Sequence, residues 1–266
     1  NFQSDYNGGA WYDNFDVVSP SLAQPAISLV NTDSAVTASN SAPGDFSYVA
    51  AGTGTRAGIY SYSYDAGASF DMLVVSVSRE AGSGGTFSVS YDGVSMNLAT
   101  GTASGSGASI YYLATSAQSG TIALDYTAVT PVNGIGIGIA AIKSDSNDIS
   151  LIDSDYSQPA TSITLPTVDD SFTMFAIDTN GGGISGLDTA PLTEIYANTD
   201  VGSNGAGASY ATGVAAGAVT YSYTNTDNPR GIAAANFAVI PEPSAALAIT
   251  SITSLGSGNF ELTLKG

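Results

Sequence analysis

The chain contains no cysteine and no histidine. The first absence removes disulfides and thiol nucleophiles; the two together remove the usual zinc and transition-metal ligands and the common catalytic dyads. A chain of 266 residues can bury a core without such staples, so the missing disulfides leave the redox compartment open. Basic residues are also scarce. Five Lys and Arg stand against 23 Asp and Glu, for a net charge of −18, which argues against nucleic acid or an anionic lipid surface as partner. Long apolar runs are missing too: the best candidate, 245–255, is about half the length a spanning helix needs and is interrupted by Thr and Ser, so no membrane span is expected.

What remains is 43% hydrophobic and only 11% charged, the balance of a folded chain rather than a disordered one. The surface must therefore be carried by Ser, Thr, Asn, Gly and Tyr. The 15 Tyr against nine Phe and one Trp fit such an uncharged coat, because Tyr packs its ring and leaves its hydroxyl wet. Together these features suggest an extracellular or cell-surface β-protein.

Periodicity of two dominates. The run from Ser69 to Ser78 is rich in branched residues, and Thr86 to Tyr91 alternates cleanly into the turn signal Asp92-Gly93. Val94 to Leu98 continues the alternation, which predicts a three-strand meander. Further strands are expected at 109–113, 120–127 and 134–142. The alternation of Gly and Ile from Gly134 to Ile139 suggests either a strand that another backbone or a ring approaches closely or simply a crowded core. No segment carries a helical stripe.

A weak internal repeat is present. "SFDMLVVSV" at Ser69 is echoed by "SFTMFAID" at Ser171, and the segment Gly107 to Ile142 by Gly207 to Ile240. The expected fold is all-β, an antiparallel β-sandwich of jelly-roll type, with a possible duplication inside it. The expected organisation is an N-terminal extension or the end of an upstream jelly roll over 1–43, the sandwich over 44–240, a Pro linker over 241–245, and a C-terminal hairpin over 246–266. No leader sequence is visible at Asn1-Phe2-Gln3, so either it has been removed or an upstream part is missing.

The segment 44–240 resembles sandwich modules of large secreted proteins of environmental bacteria, through its "LVV-S" strand, its Asp-Gly hairpin, its "IYYL" strand and its glycine-spaced final strand. The resemblance implies export and no particular activity. "GGAWYDNFDVV" at Gly8 looks like the closing strand of a lectin-like jelly roll in such proteins, and Ile240-Pro-Glu-Pro-Ser244 looks like the start of the exported-protein sorting signal PEP-CTERM, without the membrane helix and basic tail that complete it.

Candidate sites follow from the residue types left. Carboxylate pairs such as Asp169/Asp170 could serve glycoside hydrolysis only if they faced each other across a cleft; adjacent acids in turns are ordinarily solvated, and no enzyme is expected. The acids Asp145, Asp148, Asp153 and Asp155 suit calcium, which takes hard oxygen ligands from loops, or else form a solvated connection. Trp11, Tyr12, Tyr60, Tyr62 and Tyr64 could touch a polysaccharide; the alternating Tyr row could equally line a subunit interface or a core edge. In the tail, Ile249, Ile252, Phe260, Leu262 and Leu264 form a hairpin too small to stand alone. It could dock on a neighbouring copy in an oligomer or filament, pack back on its own sandwich, or begin a further domain. The leading expectation is a non-enzymatic, self-assembling subunit of a fibre, surface layer or matrix; the alternative is a carbohydrate-binding or adhesive module.

Overall fold

The computed structural model describes residues 25–37, 44–52, 57–81, 86–102, 106–127, 132–146, 148–181, 184–201, 204–225, 229–240, 248–256 and 259–265. Among them every regular element is a strand, and every pairing is antiparallel. No described helix is long and apolar enough to cross a membrane.

The first half contains β1 (Ile27–Val36), β2 (Ser47–Ala50), β3 (Gly58–Ala81), β4 (Thr86–Tyr91), β5 (Val94–Ser95), β6 (Asn97–Gly101), β7 (Gly107–Thr127) and β8 (Val132–Ser144). They pair in the order β1-β8-β3-β7-β4-β5, with β2 on β3 and β6 on β7. β3 and β7 are unusually long because each serves two layers. Their register breaks between Asp65 and Phe70 and again between Phe70 and Met72, where bulges bend the ladder. As a result Tyr60 and Tyr64 from one arm of β3 lie in the same buried cluster as Leu73, Val75 and Val77 from the other. The sheet is thus folded over itself, a jelly roll whose interior is filled by Phe46, Phe70, Phe87, Tyr91 and Tyr126 among others.

The expected meander is not formed. β4 pairs with β5 through the Asp92-Gly93 turn, both residues having positive φ (47° and 78°) as a tight hairpin requires. Its other neighbour is β7, not β3: in a roll, a later strand inserts between two that are consecutive in sequence. The boundary at residue 43 is also corrected. β1 pairs with β8 from Ile27 to Val36, Ala35 is 1% exposed within the core, and the Tyr62 hydroxyl donates to Asp33 Oδ2 at 2.6 Å. The sandwich therefore already includes Ile27.

The second half repeats the plan. It contains β9 (Ile149–Ser157), β10 (Ser162–Thr167), β11 (Ser171–Thr179), β12 (Ile184–Ser185), β13 (Thr193–Val201), β14 (Asn204–Val214), β15 (Gly217–Ser222), β16 (Thr224–Asn225) and β17 (Pro229–Val239). The order β9-β17-β11-β14-β13 matches β1-β8-β3-β7-β6 strand for strand, and the pair β10-β15 takes the place of the outer arms of β3 and β7. The weak sequence repeat is thus a duplication of topology.

The two inner sheets face each other. Met72 and Val74 of β3, Ile110 of β7 and Ile142 of β8 meet Phe172 and Met174 of β11 and Phe237 of β17, so alternate residues of β3 fill two different cores. β11 is covered on both faces, with Phe175 and Ile177 packed under Leu165 and Tyr221, and all nine of its residues are buried. A last pair, β18 (Ala248–Gly256) and β19 (Asn259–Lys265), forms an antiparallel two-stranded sheet.

Candidate functional site

Polar groups concentrate where the ends of β3 and β11 meet. Ser78 and Arg79 are consecutive on a strand and so point to opposite faces. Ser78 turns toward the second half and donates its hydroxyl to the Ile177 carbonyl at 2.6 Å. Arg79 turns into the first roll, where it is fully buried. Its Nη1 donates to Ser109 Oγ at 3.0 Å, its Nη2 donates to the Thr102 carbonyl, and its guanidinium carbon lies 5.1 Å from the centroid of the Phe87 ring. Burial lowers the guanidinium's proton affinity, but an arginine remains a cation in a protein, and the ring face and hydroxyl partly replace water.

Asp178, near the end of β11, is 1% exposed, and neither carboxylate oxygen accepts a hydrogen bond from the described residues. Burial raises its carboxyl well above the ordinary range; Arg230 and Arg79 pull the other way, and Glu80 adds to the rise. Arg230, at the start of β17, donates from Nη2 to Asn180 Oδ1 at 2.6 Å, and the same nitrogen lies 3.7 Å from Glu80 Oε1. The Glu80–Arg230 pair joins the two halves.

Glycines make room for two tyrosines beside this cluster. A Cβ on Gly136 would come within 2.6 Å of the Tyr196 hydroxyl, and a Cβ on Gly231 within 2.7 Å of the Tyr156 hydroxyl. Burial raises both phenols. The Gly-Ile alternation is thereby explained: Ile135, Ile137 and Ile139 fill the first roll, while the glycines between them receive the facing sheet. Chemically, burial without a hydrogen-bond partner favours the protonated form of Asp178, and the charges of Arg230 and Arg79 oppose it. A separate buried network, in which Asn236 Nδ2 donates to Ser171 Oγ and Thr173 Oγ1 at 2.9 and 2.8 Å, orders the second half.

The sequence-predicted sites are distributed differently. Tyr60 and Tyr64 are 5% and 1% exposed and belong to the first core, so they cannot offer ring faces to a sugar; alternation put them on one face, and that face is inward. Tyr62 is half-buried, with its hydroxyl committed to Asp33, and burial followed by that contact raises its phenol. Trp11 and Tyr12 lie outside the described residues. Asp153 and Asp155 stand two apart on β9 and each caps the next residue, accepting from the Ser154 and Tyr156 amides at 2.8 Å. Asp145 and Asp148 are exposed in the β8–β9 connection. Among the described residues no group of three or more Asp or Glu is placed to hold a metal ion. In the tail, β18 and β19 pair from Ala248↔Lys265 to Gly256↔Asn259, which places Ile249 opposite Leu264 and Ile252 opposite Leu262.

Sequence reasoning misses Arg79, and it reads Asp178 to Gly181 as a turn or ligand loop, whereas Asp178 is buried on β11. Each sits at the end of a strand, where a charge ordinarily reaches water. The available signal was that Arg79 is one of only five cations and follows a run with no other charge between Met72 and Ser78.

The chain matches no protein-family model and no curated protein. Among solved structures, a conserved protein of unknown function from Pseudomonas aeruginosa PAO1 aligns over 79% of this chain and 100% of its own, at 10% identity and a TM-score of 0.27. An overlay that loose carries no inference.

Proposed function

We propose that this chain is a non-enzymatic structural module of an exported, surface or matrix assembly, and that its terminal hairpin joins it to a neighbouring copy. The observation that carries the reading is the hairpin itself. β18 and β19 form a two-stranded sheet of their own, apart from the ladders of the two rolls. A two-stranded ribbon is marginal in water, and the alternation of Phe260, Leu262 and Leu264 in the sequence is the pattern of a strand made to pack one side against a partner. A sheet edge on another copy supplies both backbone partners and apolar surface, and a head-to-tail contact of that kind propagates into a filament.

Two further features support a scaffold role. The roll interior is packed with side chains from Phe46 to Ala141, which suits a load-bearing body, and the −18 charge suits an open, soluble surface. Removing residues 246–266 tests the proposal. The full chain should form large particles in light scattering and electron microscopy, and the truncated chain should keep the melting temperature of the sandwich and form none. Assemblies of unchanged size from the truncated chain would refute it.

A further inference from the structure

The geometry points to Asn180 as a site of spontaneous covalent modification, in which its side-chain amide is converted to a carboxylate that draws Arg230 away from Glu80. Asn180 is exposed, lies immediately after β11 in a bend, and is followed by Gly181, whose φ is 87°. In an Asn-Gly pair the backbone nitrogen of the glycine can attack the side-chain carbonyl carbon of the asparagine, because no Cβ blocks the approach. A five-membered cyclic imide forms and ammonia leaves. Water then opens the imide at one of its two carbonyls, giving aspartate or its isomer with the backbone routed through the side chain. One water is consumed and one ammonia released; nothing is oxidised or reduced.

The sequence contains Asn-Gly at four places, Asn7, Asn133, Asn180 and Asn204, and the fold separates them. Gly134 and Gly205 are in β8 and β14, in register with Glu80 and Thr179 respectively. An extended ladder holds the glycine nitrogen away from the preceding side chain and resists the tight ring closure. Asn180 stands outside any ladder.

Its surroundings also assist the reaction. Arg230 Nη2 already donates to Asn180 Oδ1 at 2.6 Å. Attack on the amide carbon places negative charge on that oxygen, and a guanidinium fixed there stabilises it. The product carboxylate then sits on Arg230, whose existing ionic partner, Glu80, is 3.7 Å from the same nitrogen. The modification thus exchanges an ion pair between the halves for one within the second half.

The test is to hold the folded full-length chain at mildly alkaline pH and follow peptides by mass spectrometry, with isoaspartate methylation as a second readout. Asn180 should convert about tenfold or more faster than Asn133 and Asn204, and the three should converge when the chain is unfolded in urea. Arg230→Met should slow conversion at Asn180 without altering the other two. Equal rates at the three sites in the folded chain, or an Asn180 rate indifferent to Arg230→Met, would overturn the inference. The variant Asn180→Asp reports the consequence: Glu80→Gln should cost less stability in that background than in the parent, and an equal cost would show that Arg230 is not recaptured.

Discussion

The hydroxyl of Ser78 donates to the carbonyl of Ile177 over 2.6 Å, and this bond crosses from the inner sheet of one roll to the inner sheet of the other. Both residues are fully buried, so no water replaces a lost partner. Ser78→Ala should destabilise the chain by about 1–2 kcal/mol in urea titrations, whereas the same change at exposed Ser63 should have little effect. Equal responses would mean that the crossing bond contributes nothing.

Asp178 gives a pH dependence with a defined sign. Its carboxyl is raised by burial in the folded chain and returns to an ordinary carboxylate in the unfolded one. The folded state therefore binds the extra proton, and this residue's contribution to stability is full below the unfolded value and is lost as pH rises toward the folded one. Asp178→Asn should flatten that decline and leave the chain more stable than the parent at neutral pH. A variant whose stability tracks the parent across the whole range would show that Asp178 does not hold its proton.

Much of the architecture was legible because alternation survives wherever one face is buried. Thr86–Tyr91, the Asp92-Gly93 turn and the Gly-Ile strand are legible directly in the sequence. The pairing order was not, because periodicity reports faces and not neighbours: nothing in β4 reveals that β7 lies between it and β3. β1 reads as lying outside the sandwich because "ISLVNTDSAV" is half polar, as an edge strand partly open to solvent can be. The site was hidden for a related reason. A Tyr row and an acid at a strand end look exposed in sequence, and only the packing of the two rolls against each other covers Asp178, while the folding of β3 covers Tyr60 and Tyr64.

The inclusion of β1 is open to a single substitution. Ala35 is 1% exposed against Ile137 and its neighbours, so Ala35→Asp should cost about 3 kcal/mol or more, measured by denaturant midpoint. An extension outside the sandwich would accept that change without loss.

The contact between the inner sheets is set by Gly138. A Cβ there would lie 2.6 Å from the Ala208 Cβ and 2.8 Å from Ser76 Oγ, and neither neighbour is a flexible chain end. Gly138→Val should destabilise by about 1–3 kcal/mol or more and lower the melting temperature. Ala208→Gly in the same chain should recover part of the loss, and an additive pair would show that the two positions do not touch.

The continuity of β3 and β7 through both layers of the first roll also governs the order of assembly. Their ladder runs from Arg79↔Gly107, close in sequence, to Gly58↔Tyr126, far apart. Chain closure grows costlier along that path, so the first roll zips from its near end and acquires both layers in one event; neither sheet has an independent existence. In the second half a turn with positive φ at Asp170 separates β10 from β11, and Gly213 and Gly217 flank the break between β14 and β15. There the outer pair can lift off while the inner sheet stays paired, an opening of smaller free energy than global unfolding. Two copies of one topology thus differ in cooperativity: the first roll opens all at once, and the second can peel.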